Sequence, residues 1–262
     1  MSSSAMHIAR TGLDAQDTRM RVISNNLANV NTTGFKKDRA AFETLAYQTI
    51  TAPGAASTAE TKYATGLNLG TGVRVQGTAR IDTQGAMQTT GNSLDLALDG
   101  DGYFQVQLPG GQLGYTRAGN FSRSAEGLLV TSEGYQVMPG ITVPEGATSI
   151  TIGNDGTVSA TVPGQAEASE LGQIQVASFA NAAGLLSKGD NYLTETAASG
   201  AANLGVAGQD GRGQIRQGML EASNVNVVEE LVDMIETQRA YEVNSKMISA
   251  TDDMLKYVNQ NL

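Results

Sequence analysis

The chain has 262 residues, a formal net charge of −9 and no cysteine. The acidic balance argues against nucleic acid as a partner, because a phosphate-binding surface needs clustered lysine and arginine. The lack of cysteine excludes disulfides and zinc sites with thiolate ligands. Glycine supplies 31 residues, and this excess predicts many turns between short elements rather than an all-helical protein.

The N-terminal segment predicts a helix that packs against another helix. Apolar residues recur there every seven positions in two rows: Met6, Leu13, Met20 and Leu27 in one, and Ala9, Ile23 and Val30 in the other. Gln16 interrupts the second row. This repeat is typical of a coiled-coil seam, with an ordinary amphipathic helix over a core as the alternative.

The stretch "SNNLANVNTTGFKK", residues 24–37, concentrates asparagines where the helix should end, at Asn25, Asn26, Asn29 and Asn31. Asparagine is a poor helix former, because its side chain competes for nearby backbone groups. The stretch therefore predicts amide hydrogen bonds at fixed positions, in a site or in a packed interface. Local capping of the helix end by Asn31, Thr32 or Gly34 is the alternative.

Two segments, 49–72 and 195–213, are rich in alanine, threonine and glycine and poor in large apolar residues. Such segments bury too little apolar surface to order themselves. They are interpreted as flexible linkers in the isolated chain, or as segments that become ordered against other subunits.

Residues 92–190 predict an antiparallel β domain. Polar and apolar residues alternate within short runs separated by glycine-containing turns. The expected strands are 94–98, 104–108, 113–117, 128–131, 135–137, 141–143, 150–152, 158–161 and 174–179.

The C-terminal segment predicts a second helix with a heptad row of Val227, Met234, Tyr241, Ile248 and Leu255. Leu231 opens a companion row that turns polar at Gln238, and Glu230 is expected on the wetter side. Six bases and three acids give residues 1–39 a charge of +3, whereas three bases and eight acids give residues 221–262 a charge of −5. Helices of opposite charge could pair with each other or with copies in neighbouring chains.

No residue pattern predicts catalysis, a cofactor or a metal. His7 is the single histidine, so a histidine metal cluster cannot form, and its place near the start of the predicted helix does not indicate a catalytic triad. Asp95, Asp99 and Asp101 suggest calcium, but an EF-hand loop needs glutamate at its twelfth position, which is Gly110 or Val106 here. A turn between strands is the better interpretation.

The two ends of the chain resemble signatures of the bacterial flagellar rod and hook subunits, the axial family. The N-terminal one is "SNNLANVNTTGFKK" followed by "AFETLAYQTI", and the C-terminal one is "EASNVNVVEELVDMIETQRAYEVNSKMISATDDML". "GTGVRV" and "LDGDGYFQVQLPGG" extend the resemblance over most of the chain. Ser24 departs from the alanine common in the family. Length and residues 47–75 favour a distal rod subunit over a hook or proximal rod subunit.

The resemblance implies an α+β fold. N- and C-terminal helices form a coiled-coil-like layer, and a mostly antiparallel β domain and extended linkers lie between them. The expected domains are 1–34 with 220–262 for the helices, 35–91 with 191–219 for an extended or β connecting region, and 92–190 for the β domain. The function implied is that of a structural subunit in a hollow helical drive shaft, which transmits motor torque to the hook.

The assembly residues follow from the heptads and the resemblance together. Those expected to meet neighbouring subunits are Met6, Leu13, Met20, Ile23, Asn25, Asn26, Leu27, Asn29, Val30, Asn31, Gly34, Phe35, Val227, Leu231, Met234, Tyr241, Ile248 and Leu255. The partners implied are further copies of the chain, proximal rod and hook subunits, the surrounding basal-body rings and the flagellar export apparatus. No nucleic acid and no membrane span are expected.

The N-terminus shows no Sec-type leader, and no run reaches the 18 apolar residues of a membrane span. These signals alone would indicate the cytosol, but the family leaves the cell through type III export without a cleaved leader. The resemblance therefore implies a periplasmic rod in the basal body. A glycan-binding adhesin and a peptidoglycan hydrolase remain as alternatives, and the heptads favour assembly over both.

Overall fold

A computed structural model describes residues 2–55, 62–163 and 168–260. The chain divides into two compact units: Met1–Leu27, Asp38–Ala79 and Asn226–Leu262 in the first, and Ala28–Lys37 and Arg80–Val225 in the second. The chain therefore passes from one unit to the other four times. Residues 56–61, inside the expected linker 49–72, lie outside the described residues.

The first unit holds two long helices and two short pairs of strands. Its elements are α1 (Ser2–Ala28), β1 (Asp38–Thr44), β2 (Tyr47–Thr51), β3 (Leu67–Gly70), β4 (Val73–Arg80) and α2 (Val227–Gln260). β1 pairs with β4, and β2 forms an antiparallel hairpin with β3. The predicted terminal helices are confirmed. Val30, however, lies beyond the end of α1, because the helix stops at Ala28.

Asn226 fixes the start of α2. Its side-chain oxygen accepts a hydrogen bond from the Val228 N–H at 3.1 Å, and its carbonyl oxygen accepts one from the Glu230 N–H at 3.0 Å. The first contact satisfies a donor that the first turn of a helix leaves unpaired, and the second is the first backbone hydrogen bond of the helix itself. Glu229 and Glu230 place negative charge in that turn, where the helix dipole favours it.

The second unit is built from short strands. They are β5 (Met87–Thr89), β6 (Leu96–Asp99), β7 (Tyr103–Gln107), β8 (Leu113–Thr116), β9 (Ser122–Arg123), β10 (Leu129–Val130), β11 (Gln136–Val137), β12 (Ser149–Ile152), β13 (Thr157–Thr161), β14 (Ser169–Gln173), β15 (Gln175–Ser178), β16 (Leu186–Gly189), β17 (Tyr192–Thr194), β18 (Asn203–Val206), β19 (Gln214–Gln217) and β20 (Met219–Glu221). Single 3-10 turns lie at Pro109–Gly111 and Ala182–Gly184.

The main sheet of this unit has the order β16-β17-β8-β7-β11-β10-β9, and β15 joins it by pairing with β7 and β18. β12, β13 and β14 form a smaller sheet, while β19 pairs with β6 and β20 with β5. The registered pairs are antiparallel, as predicted for the β domain. The α+β class is therefore confirmed.

The core of the second unit lies between these sheets. Phe104, Leu98 and Ile215 are fully buried within it, and the Phe104 and Phe121 rings meet edge to face with centroids 5.2 Å apart. Full burial of such a side chain contributes about 1.5–3 kcal/mol, which makes this cluster the main source of the unit's stability.

The structure differs from the sequence interpretation in three segments. The expected strand 141–143 is only a single bridge, Leu128↔Thr142, although Ile141 and Val143 are buried. The linker interpretation of 195–213 is wrong, because β18 pairs with β15 and the small side chains of Ser199 and Ala207 are buried. The described part of 49–72 contains the hairpin of β2 and β3. Main-chain pairing orders both segments although their few large apolar side chains stay largely exposed.

Candidate functional site

α1 and α2 contact each other along the first unit in antiparallel directions. Arg19 forms an ion pair with Asp233 at 3.2 Å, and Asn26 donates a hydrogen bond to Glu230 at 3.2 Å. At the other end of α1, Gly12 lies so near Asn244 that a Cβ at residue 12 would stand 3.2 Å from its side-chain amide. Residue numbers rise on α1 as they fall on α2, so the two ends of the chain pair within one molecule.

The α2 row nearest α1 is polar. Glu230 is 5% exposed and Thr237 is 0% exposed, and Asn244 follows one heptad later. The Thr237 hydroxyl donates to the Asp233 carbonyl oxygen at 2.6 Å, so its burial leaves it satisfied. The row that faces α1 therefore comprises Glu230, Thr237 and Asn244, one position before the companion row that begins at Leu231.

The opposite side of α2 carries an apolar stripe, exposed in the described chain. At 100° per residue, its members lie 140–240° around the helix from Glu230, on the far side from α1. The outer stripe comprises Val228, Val232, Ile235, Val243, Met254 and Tyr257. Val228 is 69% exposed and Tyr257 is 70% exposed, so this surface is left uncovered in a single chain.

Counted in the same way, the predicted α2 assembly residues lie within 100° of Glu230, and Met234, Tyr241, Ile248 and Leu255 lie within 40° of it. Met234, Ile248 and Leu255 are half-buried, whereas Val227, Leu231 and Tyr241 are exposed. None of the six is fully buried by its own chain. The seven-residue repeat does not include the residues of the outer stripe, so that repeat did not predict it. The spacing of residues 228, 232 and 235 was the signal that could have found it.

The predicted α1 assembly residues lie mostly on the side that meets α2. Ile23 is buried, and the others on the helix seam are half-buried, namely Met6, Leu13, Met20 and Leu27. Ile8 is a large apolar residue of α1 that lies outside that seam, and it is 38% exposed.

Asn26 bonds within its own chain. Its amide nitrogen donates to the Asp38 carbonyl oxygen at 2.9 Å and to Glu230, while its amide oxygen accepts the Asp38 N–H at 3.0 Å. The side chain is 2% exposed. Asn26 therefore joins α1, β1 and α2 of one molecule. These contacts explain its burial without a neighbouring subunit.

The other residues of the asparagine-rich stretch take separate positions. Asn25 and Asn31 are exposed, whereas Asn29 accepts a hydrogen bond from the Thr32 hydroxyl at 3.1 Å. Phe35 is half-buried. Gly34 has a φ of +68° and donates its N–H to the Glu221 carbonyl oxygen at 2.8 Å.

Glycine is required at residue 34 for two reasons. Its positive φ is strained for other residues, and a Cβ there would stand 2.6 Å from the Ala118 nitrogen. The backbone can therefore approach Ala118 closely only because residue 34 has no side chain. This places the next two residues against the β strands of the second unit.

A buried charge cluster lies next to this glycine. Lys36 forms an ion pair with Glu221, and the Arg117 guanidinium lies 3.5 Å from the other Glu221 oxygen. Lys36, Arg117 and Glu221 are all buried, with Glu221 at 0% exposed. Burial lowers the pKa of Lys36, although Glu221 opposes the shift. No local sequence pattern indicates this cluster, because its members are separated by more than 80 residues.

The β2–β3 hairpin of the first unit is a second uncovered apolar surface. Tyr47, Ile50, Leu67 and Leu69 are all exposed, and Tyr47 is exposed by 63%. A two-stranded ribbon that exposes both faces cannot shield such side chains by itself.

The chemistry of the described residues is that of packing and ion pairs. They contain no group of three or more possible metal ligands. Asp99 pairs with Arg216 at 3.1 Å and Asp95 accepts from Asn92 at 2.9 Å, so two of the three aspartates considered for calcium hold the turn together. His7 is exposed on α1. No helix in the described ranges is long and apolar enough to cross a bilayer.

A polar cavity of about 380 Å³ lies within the second unit. Asn29, Thr33, Asn191 and Glu133 are among its lining residues. Asn191 donates to the Thr33 carbonyl oxygen at 3.0 Å, and Tyr192 donates to Glu133. This hydrogen bond from Tyr192 lowers the pKa of Glu133 against the raising effect of burial. The groups are satisfied by one another, and no nucleophile is paired with a base there.

Three protein families match separate parts of the chain. The family described as "Flagella basal body rod protein" matches residues 6–36, "Flagellar hook protein FlgE/F/G D1 domain" matches residues 97–160, and "Flagellar basal body rod FlgEFG protein C-terminal" matches residues 216–261. The two terminal matches cover most of α1 and α2.

Curated relatives match over nearly the whole length. The chain is 50% identical over 256 residues to the flagellar basal-body rod protein FlgG of Buchnera aphidicola subsp. Acyrthosiphon pisum, covering 98% of each chain. It is 48% identical over 257 residues to FlgG of Caulobacter vibrioides, again covering 98% of each chain. FlgF of Caulobacter vibrioides is 36% identical over 261 residues, with 96% of each chain covered. The chain therefore belongs to the flagellar basal-body rod protein family.

Proposed function

We propose that the chain is the structural subunit of the distal flagellar rod, and that it polymerises into a hollow helical shaft. Similarity to FlgG relatives, at 50% and 48% identity, supports the distal position. Polymerisation is supported by one observation on α2. Its polar residues face α1, whereas its outer apolar stripe is exposed. A helix of this kind gains most of its stability from packing against a neighbour.

A second copy of the chain is the occupant that this surface fits. α1 carries a net charge of +1, from three bases and two acids, and α2 one of −4, from three bases and seven acids, so these unlike helices attract when one copy meets another. A contact between different surfaces of identical chains generates a helical filament when it does not close into a ring. Each large side chain of the stripe contributes about 1.5–3 kcal/mol when it becomes fully buried.

The predicted assembly residues enter the proposal in two groups. The half-buried row of Met6, Leu13, Met20, Met234, Ile248 and Leu255 extends the contact between the helices of one chain, and neighbouring chains complete its burial. Val227, Leu231 and Tyr241 are exposed enough to meet a neighbour directly. The outer stripe adds a surface that the sequence did not single out.

The wider setting belongs to the same proposal. Copies of this chain would join proximal rod subunits at one end and hook subunits at the other, within the basal-body rings. The subunit would leave the cytoplasm through the flagellar export apparatus and act in the periplasm. Its role is mechanical and needs no catalysis or cofactor. The names of the relatives, as basal-body rod proteins, support this location.

A carboxylate in the outer stripe tests the polymer. Val232→Asp would force an unpaired charge into the subunit contact, where burial is costly enough to break the contact or shift the pKa of the carboxyl. Val232 is 51% exposed in the single chain, so the variant should fold. In a strain that lacks its own rod subunit, the variant should be exported, yet basal bodies should show no distal rod by electron microscopy.

Gln238→Asp is the matched control. It adds the same carboxylate to an exposed polar position of the same helix and should leave rods and swimming intact. Normal distal rods built from the Val232→Asp chain would contradict the proposed assembly surface.

A further inference from the structure

The two segments of the second unit begin or end at Ala28, Lys37, Arg80 and Val225, where the chain crosses to or from the first unit. We call these four crossings chain passages. Residues next to three of them, those at Lys37, Arg80 and Val225, contact one another inside the second unit. The segments concerned are 36–37, 81–83 and 221–224. They are separated in sequence by more than 40 and more than 130 residues, so no local preference brings them together.

Asn224 contacts both of the other segments with one side chain. Its amide oxygen accepts the Lys37 N–H at 2.8 Å. Its amide nitrogen lies 2.8 Å from the Ile81 carbonyl oxygen, 3.1 Å from the Thr83 carbonyl oxygen and 3.0 Å from the Thr83 hydroxyl. The Ile81 N–H donates in turn to the Lys37 carbonyl oxygen at 2.9 Å. The three segments therefore form a closed circuit of hydrogen bonds.

Glu221 and Lys36 form a second layer of contacts on the same segments. The Lys36 ammonium donates to the Thr83 carbonyl oxygen at 2.8 Å and to Glu221. Glu221 also accepts the Gly85 N–H at 2.9 Å. Glu221 and Lys36 are buried, so solvent screens their attraction little.

We propose that Asn224, supported by the Glu221–Lys36 pair, is a positioning residue that clamps three chain passages into one joint. The clamp makes a displacement of any one passage act on the other two. Asparagine suits this place because a single amide supplies one acceptor and two donors. Aspartate would lose the donors, and an apolar residue would lose both functions.

Amide hydrogen exchange on the purified full-length chain tests the clamp. In Asn224→Ala, the Lys37 N–H loses its acceptor and should exchange about tenfold faster. The Ile81 N–H keeps its own acceptor on Lys37, so it reports the joint and not the deleted contact. It should also exchange about tenfold faster, while amides of β7 and β8 stay as in the wild type. Unchanged exchange at Ile81 would overturn the proposal.

Asn181→Ala is the matched control, because it removes a 3.1 Å side-chain hydrogen bond to Ala198 elsewhere in the same unit. It should leave exchange at Lys37 and Ile81 unaltered. Asn224→Asp serves as a second variant if the alanine variant folds poorly. It keeps an oxygen for Lys37 and points another at the carbonyl oxygens of Ile81 and Thr83. Protection should persist at Lys37 and fall at Ile81, and wild-type protection at both would refute the clamp.

The joint has a mechanical consequence that rests on the proposed function. In a shaft that transmits torque, load would enter the β domain through all three passages together. Cells with Asn224→Ala should swim in dilute medium and stop at a lower viscosity than wild-type cells. Equal swimming at every viscosity would overturn the load-bearing role. Failure of the wild-type chain to build rods would instead contradict the proposed function, since exchange tests the clamp in the monomer.

Discussion

Single polar side chains join distant parts of this chain more often than its sequence suggested. Glu230 was expected on the wetter side of α2, yet it is nearly buried and accepts a hydrogen bond from Asn26. The asparagine stretch correctly indicated fixed amide contacts. It could not indicate their partners, because Asp38 and Glu230 become neighbours of Asn26 only after the helices pair.

Glu221→Gln is expected to destabilise the second unit strongly. The change removes the one negative charge of a buried cluster and leaves Lys36 and Arg117 without it. Loss of one partner of a buried ion pair costs about 3–5 kcal/mol. Urea unfolding followed by tyrosine fluorescence measures the effect.

Asp99→Asn is the comparison variant for this prediction. It breaks the Asp99–Arg216 pair, which is about half exposed, and should change the free energy of unfolding by less than about 1 kcal/mol. Equal unfolding midpoints for Glu221→Gln and the wild type would show that the buried cluster adds no stability.

Individual elements were predictable to the extent that their pattern is local. Heptad spacing located α1 and α2, and alternation located strands such as β7 and β13, since both depend on neighbours in sequence. The pairing of β6 with β19 joins Leu98 to Ile215 and left no local trace. The inward row of α2 was missed for a related reason, because a search for apolar periodicity passes over glutamate, threonine and asparagine.

The β2–β3 hairpin is expected to act in the polymer and not in the fold of the monomer. Replacing Ile50, Leu67 and Leu69 together by threonine keeps strand propensity and removes exposed apolar surface. Surface changes of this kind alter stability by about 0.5 kcal/mol or less each. Thermal unfolding should therefore match the wild type, while rods seen by electron microscopy should change in length or straightness. Rods of unaltered length and straightness would show that the hairpin only connects its neighbouring elements.

The whole molecule combines a well-packed β unit with helices that its own chain covers incompletely. Sequence composition indicated this contrast, because the apolar alternation lies in the middle of the chain and the charged heptads lie at its ends. It did not show that residues 28–37 and 191–225 belong to the β unit. Those residues join through hydrogen bonds and ion pairs between distant segments, which composition does not record.

Limited proteolysis of the purified monomer should reflect that contrast. Cleavage is expected first in α1, α2 and the hairpin, which expose apolar side chains and bury few. The resistant core should run from near residue 80 to near residue 225 and should retain the segment 28–37, as mass spectrometry would measure. A fragment limited to 92–190 would mean that β5, β19 and β20 are weakly held. Helices that survive as long as the β strands would argue that they are stable without neighbours.

The inverted polarity of α2 has a consequence for the timing of assembly. The helices of one monomer meet through glutamate, threonine and asparagine, so their contact leaves the outer stripe of α2 available to an incoming copy. In the proposed polymer, a copy that adds at an existing tip would cover the outer stripe in one step, whereas two free monomers would cover only part of it. Elongation is thereby favoured over spontaneous initiation, and a shaft made of such subunits starts where a template already stands.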